Sequence, residues 1–356
     1  MDTRNWLKER LGGHYSRNGV SPPPDFKKRE FGFGNEKKID SRHYSFAEEK
    51  ELRKYFVENA PLYASYSVAY YEFPDARPMP KKSFLGADLV FEFDTECSHS
   101  SLACFRCMSD TKQQTFRLID DFLKADFGFS QKQIQVAFSG NRGFHVHVRD
   151  ESIRQVNQEA RREIIDYLQG KGIPLDSITD FMKGATPDSG GWRGKLARAL
   201  NTRLDDADLF KASPSLALAL KKRPQEIREA LSRGSYDVVR GADNVWKRLV
   251  SDLVPRMGND IDQSVTFDLS RLIRMPSTIH GTTGLLCCYV NDLEKFEPFK
   301  HAVALSSAPF RVKMLRDEAS ITMKDQSFGP FESGADYELP EFAAVFLVAK
   351  GAATPL

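Results

Sequence analysis

The stretch Ala87-Asp88-Leu89-Val90-Phe91-Glu92-Phe93-Asp94 decides how this chain is read. Its apolar run predicts a strand, and strand side chains alternate between faces. Glu92 and Asp94 then share one face, while Leu89, Phe91 and Phe93 share the other. Like charges held this close repel, and a fold tolerates them most readily with a divalent cation between them. Alone, an E-x-D reads more readily as a strand whose acidic end is simply solvated. Two further segments change that weighting. One is Ser139-Gly140-Asn141-Arg142-Gly143-Phe144-His145-Val146-His147-Val148, a cationic glycine turn between alternating apolar residues. The other begins at Asp262 and runs into Arg271-Leu272-Ile273-Arg274-Met275-Pro276-Ser277-Thr278-Ile279-His280-Gly281. An acidic pair, a turn whose backbone N–H groups can approach an anion, and an acid-then-basic segment suggest metal-dependent chemistry on a phosphate.

In this order the three segments resemble the small catalytic subunit of the archaeal and eukaryotic DNA primases. Arg29-Glu30-Phe31 upstream looks like that family's R-E-F element, so the resemblance runs from about residue 29 to about residue 284. It implies a mixed α/β, prim-type catalytic domain with a zinc motif and a smaller helical insertion. It also implies template-directed nucleotidyl transfer that makes short RNA primers on single-stranded DNA. Glu92, Asp94 and Asp262 would be the catalytic acids holding two Mg²⁺ or Mn²⁺ ions. Ser139, Arg142, His145, Arg274 and His280 would contact the triphosphate, with Glu30 and Arg42 near the same site. Two departures stand out: Glu92 occupies the place of an aspartate, and Asn141 stands where the eukaryotic members carry a second arginine. The partners implied are a larger regulatory subunit, a single-stranded DNA template and ribonucleoside triphosphates. A repair-type primase–polymerase preferring deoxynucleotides is the alternative within the enzyme class. A non-catalytic, zinc-containing nucleic-acid-binding subunit is the alternative outside it.

Cys97, His99, Cys104 and Cys107 offer four ligands, the number that a structural tetrahedral zinc needs, and the resembling archaeal proteins carry a zinc motif at this position. Five cysteines, an odd number, argue against a disulfide framework. Cys287 and Cys288 read as strand packing.

With 356 residues, 41% apolar and 28% charged, the composition is that of a globular domain or two. A net charge of +2 leaves a nucleic-acid partner to be held by a local groove. The N-terminus shows no signal-peptide core and no run is apolar enough to span a bilayer, so a cytoplasmic protein is expected. No Walker-type phosphate loop is present, which excludes that route to ATP hydrolysis.

Periodicity predicts a helix over 46–59, strands over 66–73 and 85–94, and a helix over 111–125. It also predicts a hairpin from Ile134 to Val148 and a helix from Ile153 that ends at Gly170. Asp268 is expected to cap a short helix carrying Leu269, Leu272 and Ile273, with Pro276 stopping it and strand character resuming near Val265. Residues 170–194 are rich in Gly, Pro and Asp, and 214–254 look helical. The expected organisation is a discontinuous catalytic domain of residues 1–170 and 255–356, with the zinc motif at 97–107 and a helical insertion at 171–254.

Overall fold

A computed structural model describes residues 2–94, 102, 104–204, 214–238 and 241–356. These form a mixed α/β fold with helical insertions, divided into two compact units. The first comprises Met1–Thr115, Gln131–Arg161 and Ile261–Leu356; the second comprises Phe116–Ser130 and Arg162–Asp260.

In the first unit the strands follow in chain order as β1 (Phe31–Gly34), β2 (Ser41–Tyr44), β3 (Tyr63–Ser67), β4 (Ala69–Tyr71), β5 (Phe84–Ala87) and β6 (Leu89–Phe93). After them come β7 (Ile134–Phe138), β8 (Phe144–Val148), β9 (Leu272–Arg274), β10 (Thr278–Ile279) and β11 (Leu286–Val290). One sheet has the order β2-β1-β3-β9 and another the order β10-β11-β7-β8-β6, while β4 and β5 pair separately. Every pairing is antiparallel. In β6, Leu89, Val90, Phe91 and Phe93 are all buried and only Glu92 is partly exposed. A strand buried on both faces loses its clean alternation, which explains an apolar run broken by one acid.

The hairpin expected between Ile134 and Val148 is present as β7 and β8, with Phe138 opposite Phe144. The strand expected over 66–73 is broken after Ser67, and that over 85–94 is broken at Asp88. Arg29 supplies the reason. Its buried guanidinium donates to the carbonyls of Ser67 (2.8 Å) and Val68 (3.0 Å) and to the Asp88 carboxylate (2.7 Å). Tyr70 donates to the same carboxylate at 2.6 Å. These side-chain bonds satisfy backbone groups that a continuous ladder would otherwise use. The R of the R-E-F element is therefore a core brace.

The short helix expected after Asp268 is absent, and Leu272–Arg274 instead forms β9, paired with β3 through Ser65 opposite Arg274. Val265 lies not in a strand but in the helix Gln263–Phe267, whose N-cap is Asp262. Toward the C-terminus, strand Pro309–Met314 lies between Asp336–Pro340 and Ala353–Pro355. Helix Glu341–Ala349 is apolar on every side and accordingly buried on every side.

The second unit is helical, with Gly191–Thr202, Pro214–Lys222, Pro224–Ser232 and Ala242–Met257 around a core that includes Trp192, Leu196, Ile227 and Trp246. Pro224 sits at a helix N-terminus, where its missing N–H costs nothing. No helix among the described residues is long and apolar enough to cross a membrane.

Candidate active site

The pleat of β6 turns Glu92 toward a cleft of about 360 Å³ in the first unit, and Asp94 follows one step beyond the strand end. Gly143 of the β7–β8 turn abuts that end: a Cβ there would stand 1.9 Å from the Phe93 carbonyl oxygen. No side chain fits, so glycine is what lets the turn and the acidic pair share one edge. Ser139 Oγ holds the turn by accepting from the backbone N–H groups of Asn141 (3.3 Å) and Gly143 (3.2 Å). Thr111 Oγ1 donates to the Arg142 carbonyl at 2.9 Å.

Register places His145 of β8 directly opposite Glu92 of β6, with His145 Nε2 3.5 Å from Glu92 Oε1. Burial alone would raise the Glu92 carboxyl. The His145 imidazole and the charges of Arg271 and Lys38 outweigh it and hold the carboxyl down to about 2. Asp94 moves the other way: its carboxyl is pushed up by the desolvation of the cleft wall around it, although the residue itself is exposed, and then by the Glu92 charge. Two neighbouring acids driven apart in this way suit a shared cation.

Asp262 comes close through its backbone, whose N–H donates to the Glu92 carbonyl at 3.0 Å. Its carboxylate is otherwise engaged, accepting from Ser264 N (2.9 Å) and Ser264 Oγ (2.7 Å). Among the described residues no group of three or more His, Cys, Asp or Glu is placed to hold a metal ion.

Arg42, Ser139, His145, Arg274 and His280 line the same cleft as Glu92 and Asp94. Arg142 and Glu30 do not line it. Arg142 stands near enough to Asp94 for its charge to oppose the rise of that carboxyl. Glu30 is fully buried and accepts from Arg42 Nε (2.7 Å) and Nη2 (3.1 Å), so it acts on the cleft through Arg42. His280 is buried, which keeps its imidazole neutral, and its Nδ1 accepts from Thr282 N at 3.2 Å. That bond leaves the ring proton on Nε2 as a donor. Among the described residues, nothing pairs with the buried atoms Arg274 Nη1, Arg142 Nε and His145 Nδ1. Buried polar atoms without partners cost free energy and suit a polar ligand.

Cys97 and His99 lie outside the described residues. Cys104 and Cys107 are buried at the start of helix Phe105–Arg117, and Cys104 Sγ accepts from the Cys107 N–H at 3.4 Å. An N–H directed at sulfur suits a thiolate ligand.

A sequence model of the DNA primase small subunit matches residues 93–292. Curated DNA primase small subunits are similar over nearly the whole chain. The protein from Methanothrix thermoacetophila is 33% identical, with 98% of this chain and 98% of the relative covered. That from Archaeoglobus fulgidus is 33% identical with 99% of each covered, and that from Halorubrum lacusprofundi 33% with 99% and 97%. The chain belongs to the DNA primase small subunit family. Membership accounts for the order of the acidic pair, the glycine turn and the basic segment along the chain.

Cleft residues that the motif reading did not assign to the site include Lys38, Tyr63, Asp268 and Arg271. Tyr63 meets the His280 ring edge-on at 5.8 Å and lies beneath the Arg274 guanidinium at 5.4 Å. Arg271 lies inside the quoted basic segment and Asp268 was expected as a helix cap, whereas Lys38 and Tyr63 carried no signal in the sequence.

Proposed function

We propose that this chain is the catalytic subunit of a DNA primase, a DNA-directed nucleotidyltransferase that builds short RNA primers on single-stranded DNA for replication. The observation that carries the reading is the meeting of Glu92 and Asp94 with the unpartnered buried atoms Arg274 Nη1 and His145 Nδ1 in and around one cleft. Carboxylates for cations and cations for phosphates, side by side, fit a metal–nucleotide substrate. Arg274, Arg142, His145 and the Nε2–H of His280 bind and orient the triphosphate, and Ser139 holds the turn that presents Arg142. Arginine suits this work because its planar fork donates two bonds to one phosphate.

Glu92 and Asp94 would hold Mg²⁺ or Mn²⁺, joined by Asp262 once its carboxylate turns away from Ser264. When bound, two such ions supply activation of the attacking hydroxyl and neutralisation of the leaving pyrophosphate. Zinc would be held by Cys97, His99, Cys104 and Cys107 as a structural ion. The first unit is assigned as the catalytic domain and the helical unit as the insertion, in a cytoplasmic protein.

The chain's own grip on a template is weak in this reading. In the cluster Arg193-Lys195-Arg198, Lys195 is buried against Asp126, while Arg193 and Arg198 donate to the carbonyls of Lys183 and Pro187. A buried lysine paired with an aspartate releases no counterion on binding DNA, which leaves this cluster two exposed arginines. A larger regulatory subunit would supply the missing template affinity.

The test is primer synthesis on an unprimed single-stranded template with labelled nucleotides and Mg²⁺ or Mn²⁺, with and without the large subunit. Ribonucleotide incorporation that rises with the partner is expected. A product built only from deoxynucleotides would favour the repair-type enzyme, and none under any condition would leave a nucleic-acid-binding subunit.

A further inference from the structure

The loop between β1 and β2 brings a lysine to the cleft that no motif predicts. Asp40 braces this loop by accepting three successive backbone N–H groups: Asn35 (2.6 Å), Glu36 (2.8 Å) and Lys37 (3.0 Å). The Asp40 N–H returns to the Phe33 carbonyl at 2.9 Å, and Asn35 Oδ1 accepts from Leu62 N at 3.3 Å. The loop folds tightly over Gly34, where a Cβ would stand 2.0 Å from the Lys37 carbonyl oxygen. The backbone that carries Lys38 is thus fixed before any ligand arrives, and its ordering is not charged to binding.

Lys38 is exposed and lines the cleft with Glu92, Asp94, Arg274 and His280. Its charge is felt by Glu92, Asp94 and His280. The other cations of the exposed wall have carboxylates nearby: Arg42 is paired bidentately with Glu30, and Arg271 Nη2 stands 3.9 Å from Asp262. Among the described residues, Lys38 Nζ has neither a hydrogen-bond nor an ion-pair partner.

We infer that Lys38, held by the Asp40-braced loop, is a further phosphate-binding residue of this cleft, one that engages a phosphate at its solvent-facing mouth. The inference rests on the nucleotidyl-transfer reading of the site. An ammonium is a compact point charge that serves a phosphate without demanding one geometry, which suits an exposed wall. Two sources share this chemistry: the outer phosphate of the nucleotide's triphosphate and the backbone of the nucleic-acid strand.

The experiment uses the full-length chain and its Lys38→Gln, Lys38→Arg, Asp40→Asn and Arg274→Ala variants. One arm titrates a fluorescent ribonucleoside triphosphate in Mg²⁺, and the other titrates a single-stranded oligothymidylate at several salt concentrations. Lys38→Gln should weaken one arm about three- to tenfold, and Lys38→Arg should restore most of the loss. Loss in the nucleotide arm identifies the triphosphate. Loss in the oligonucleotide arm, with the salt slope reduced by about one, identifies the strand. Asp40→Asn should weaken the same arm, and its effect should vanish in the Lys38→Gln background, which a loop of merely structural importance would not produce. Lys38→Gln equal to wild type in both arms, with Arg274→Ala impaired for nucleotide, overturns this inference alone. Arg274→Ala with undiminished nucleotide affinity overturns the parent reading as well.

Discussion

His145 Nε2 stands 3.5 Å from Glu92 Oε1 across paired strands, so the turn that carries the cations and the strand that carries the acids are coupled at one point. The imidazole helps keep Glu92 ionised despite burial. His145→Gln keeps polarity but removes the imidazole that faces Glu92. It should lower kcat/KM for nucleotide on the order of tenfold, by the size of one charge-assisted contact. Steady-state kinetics over a range of nucleotide concentrations checks this, and an unchanged value refutes the coupling.

Asp94 is exposed at the strand end, so its role separates from stability. Asp94→Asn preserves shape while removing the charge that a divalent cation needs. Nucleotide incorporation should fall by at least about a hundredfold, as for the loss of a group acting on developing charge. Without metal, the melting temperature should be no lower than the parent's, since the change also relieves repulsion from Glu92. Glu92→Asp should keep partial activity, since it shortens the ligand without removing it. Full activity in Asp94→Asn would sink the metal assignment.

Beneath the cleft, Glu30 faces Arg42, the His43 backbone N–H and Lys82, whose Nζ stands 3.4 Å from Glu30 Oε2. Glu30 and Lys82 are both fully buried. Glu30→Gln strands the Lys82 charge and should destabilise the fold by about 3–5 kcal/mol, the usual result of removing one partner of a buried pair. Adding Lys82→Met should recover much of that loss. Urea denaturation of the wild type and the two variants measures it, and a double variant no better than the single would reject the pairing.

The parts of the fold read correctly from sequence are those fixed by local pattern. Val136 and Phe138 alternate into the turn and Phe144, Val146 and Val148 alternate out of it, and the hairpin follows. The misreadings lie where a distant partner overrides local preference. Leu269, Leu272 and Ile273 have helical spacing, yet β3 recruits Leu272–Arg274 as a strand, satisfying the backbone in a way no local signal announces. The helix cap expected at Asp268 belongs instead to Asp262, whose carboxylate accepts from Ser264 two residues on. Arg29 shows the same limit, because its work is to bond carbonyls and a carboxylate far along the chain. The motif residues Arg42, Glu92, Asp94, Ser139, His145, Arg274 and His280 come to one cleft because short ordered segments carry them. Lys38 and Tyr63 belong to no such motif and reach the cleft only through the closure of the β1–β3 sheet.

His147 gives the stability a predictable pH dependence. It is fully buried, stacked on Tyr66 with ring centroids 6.4 Å apart, and among the described residues neither ring nitrogen has a partner. Burial first, then the positive charges of Arg149, His145 and Arg29, push its pKa well below the ordinary value of about 6.5. The folded state therefore holds His147 neutral, whereas the unfolded chain protonates it below about pH 6.5. In that range the unfolded state binds more protons, so stability falls as the pH drops, by about 1.4 kcal/mol per pH unit from this residue. Above about pH 6.5 both states are neutral there and the contribution is constant. His147→Phe keeps an aromatic ring against Tyr66 and removes the titration. The stability of the variant relative to wild type should therefore rise by about 1–2 kcal/mol between pH 6.5 and pH 5. His280, also buried and neutral, titrates alike in both proteins and cancels in the difference. Urea unfolding across that pH range decides the matter: a stability difference that does not change with pH would show that His147 carries no such linkage.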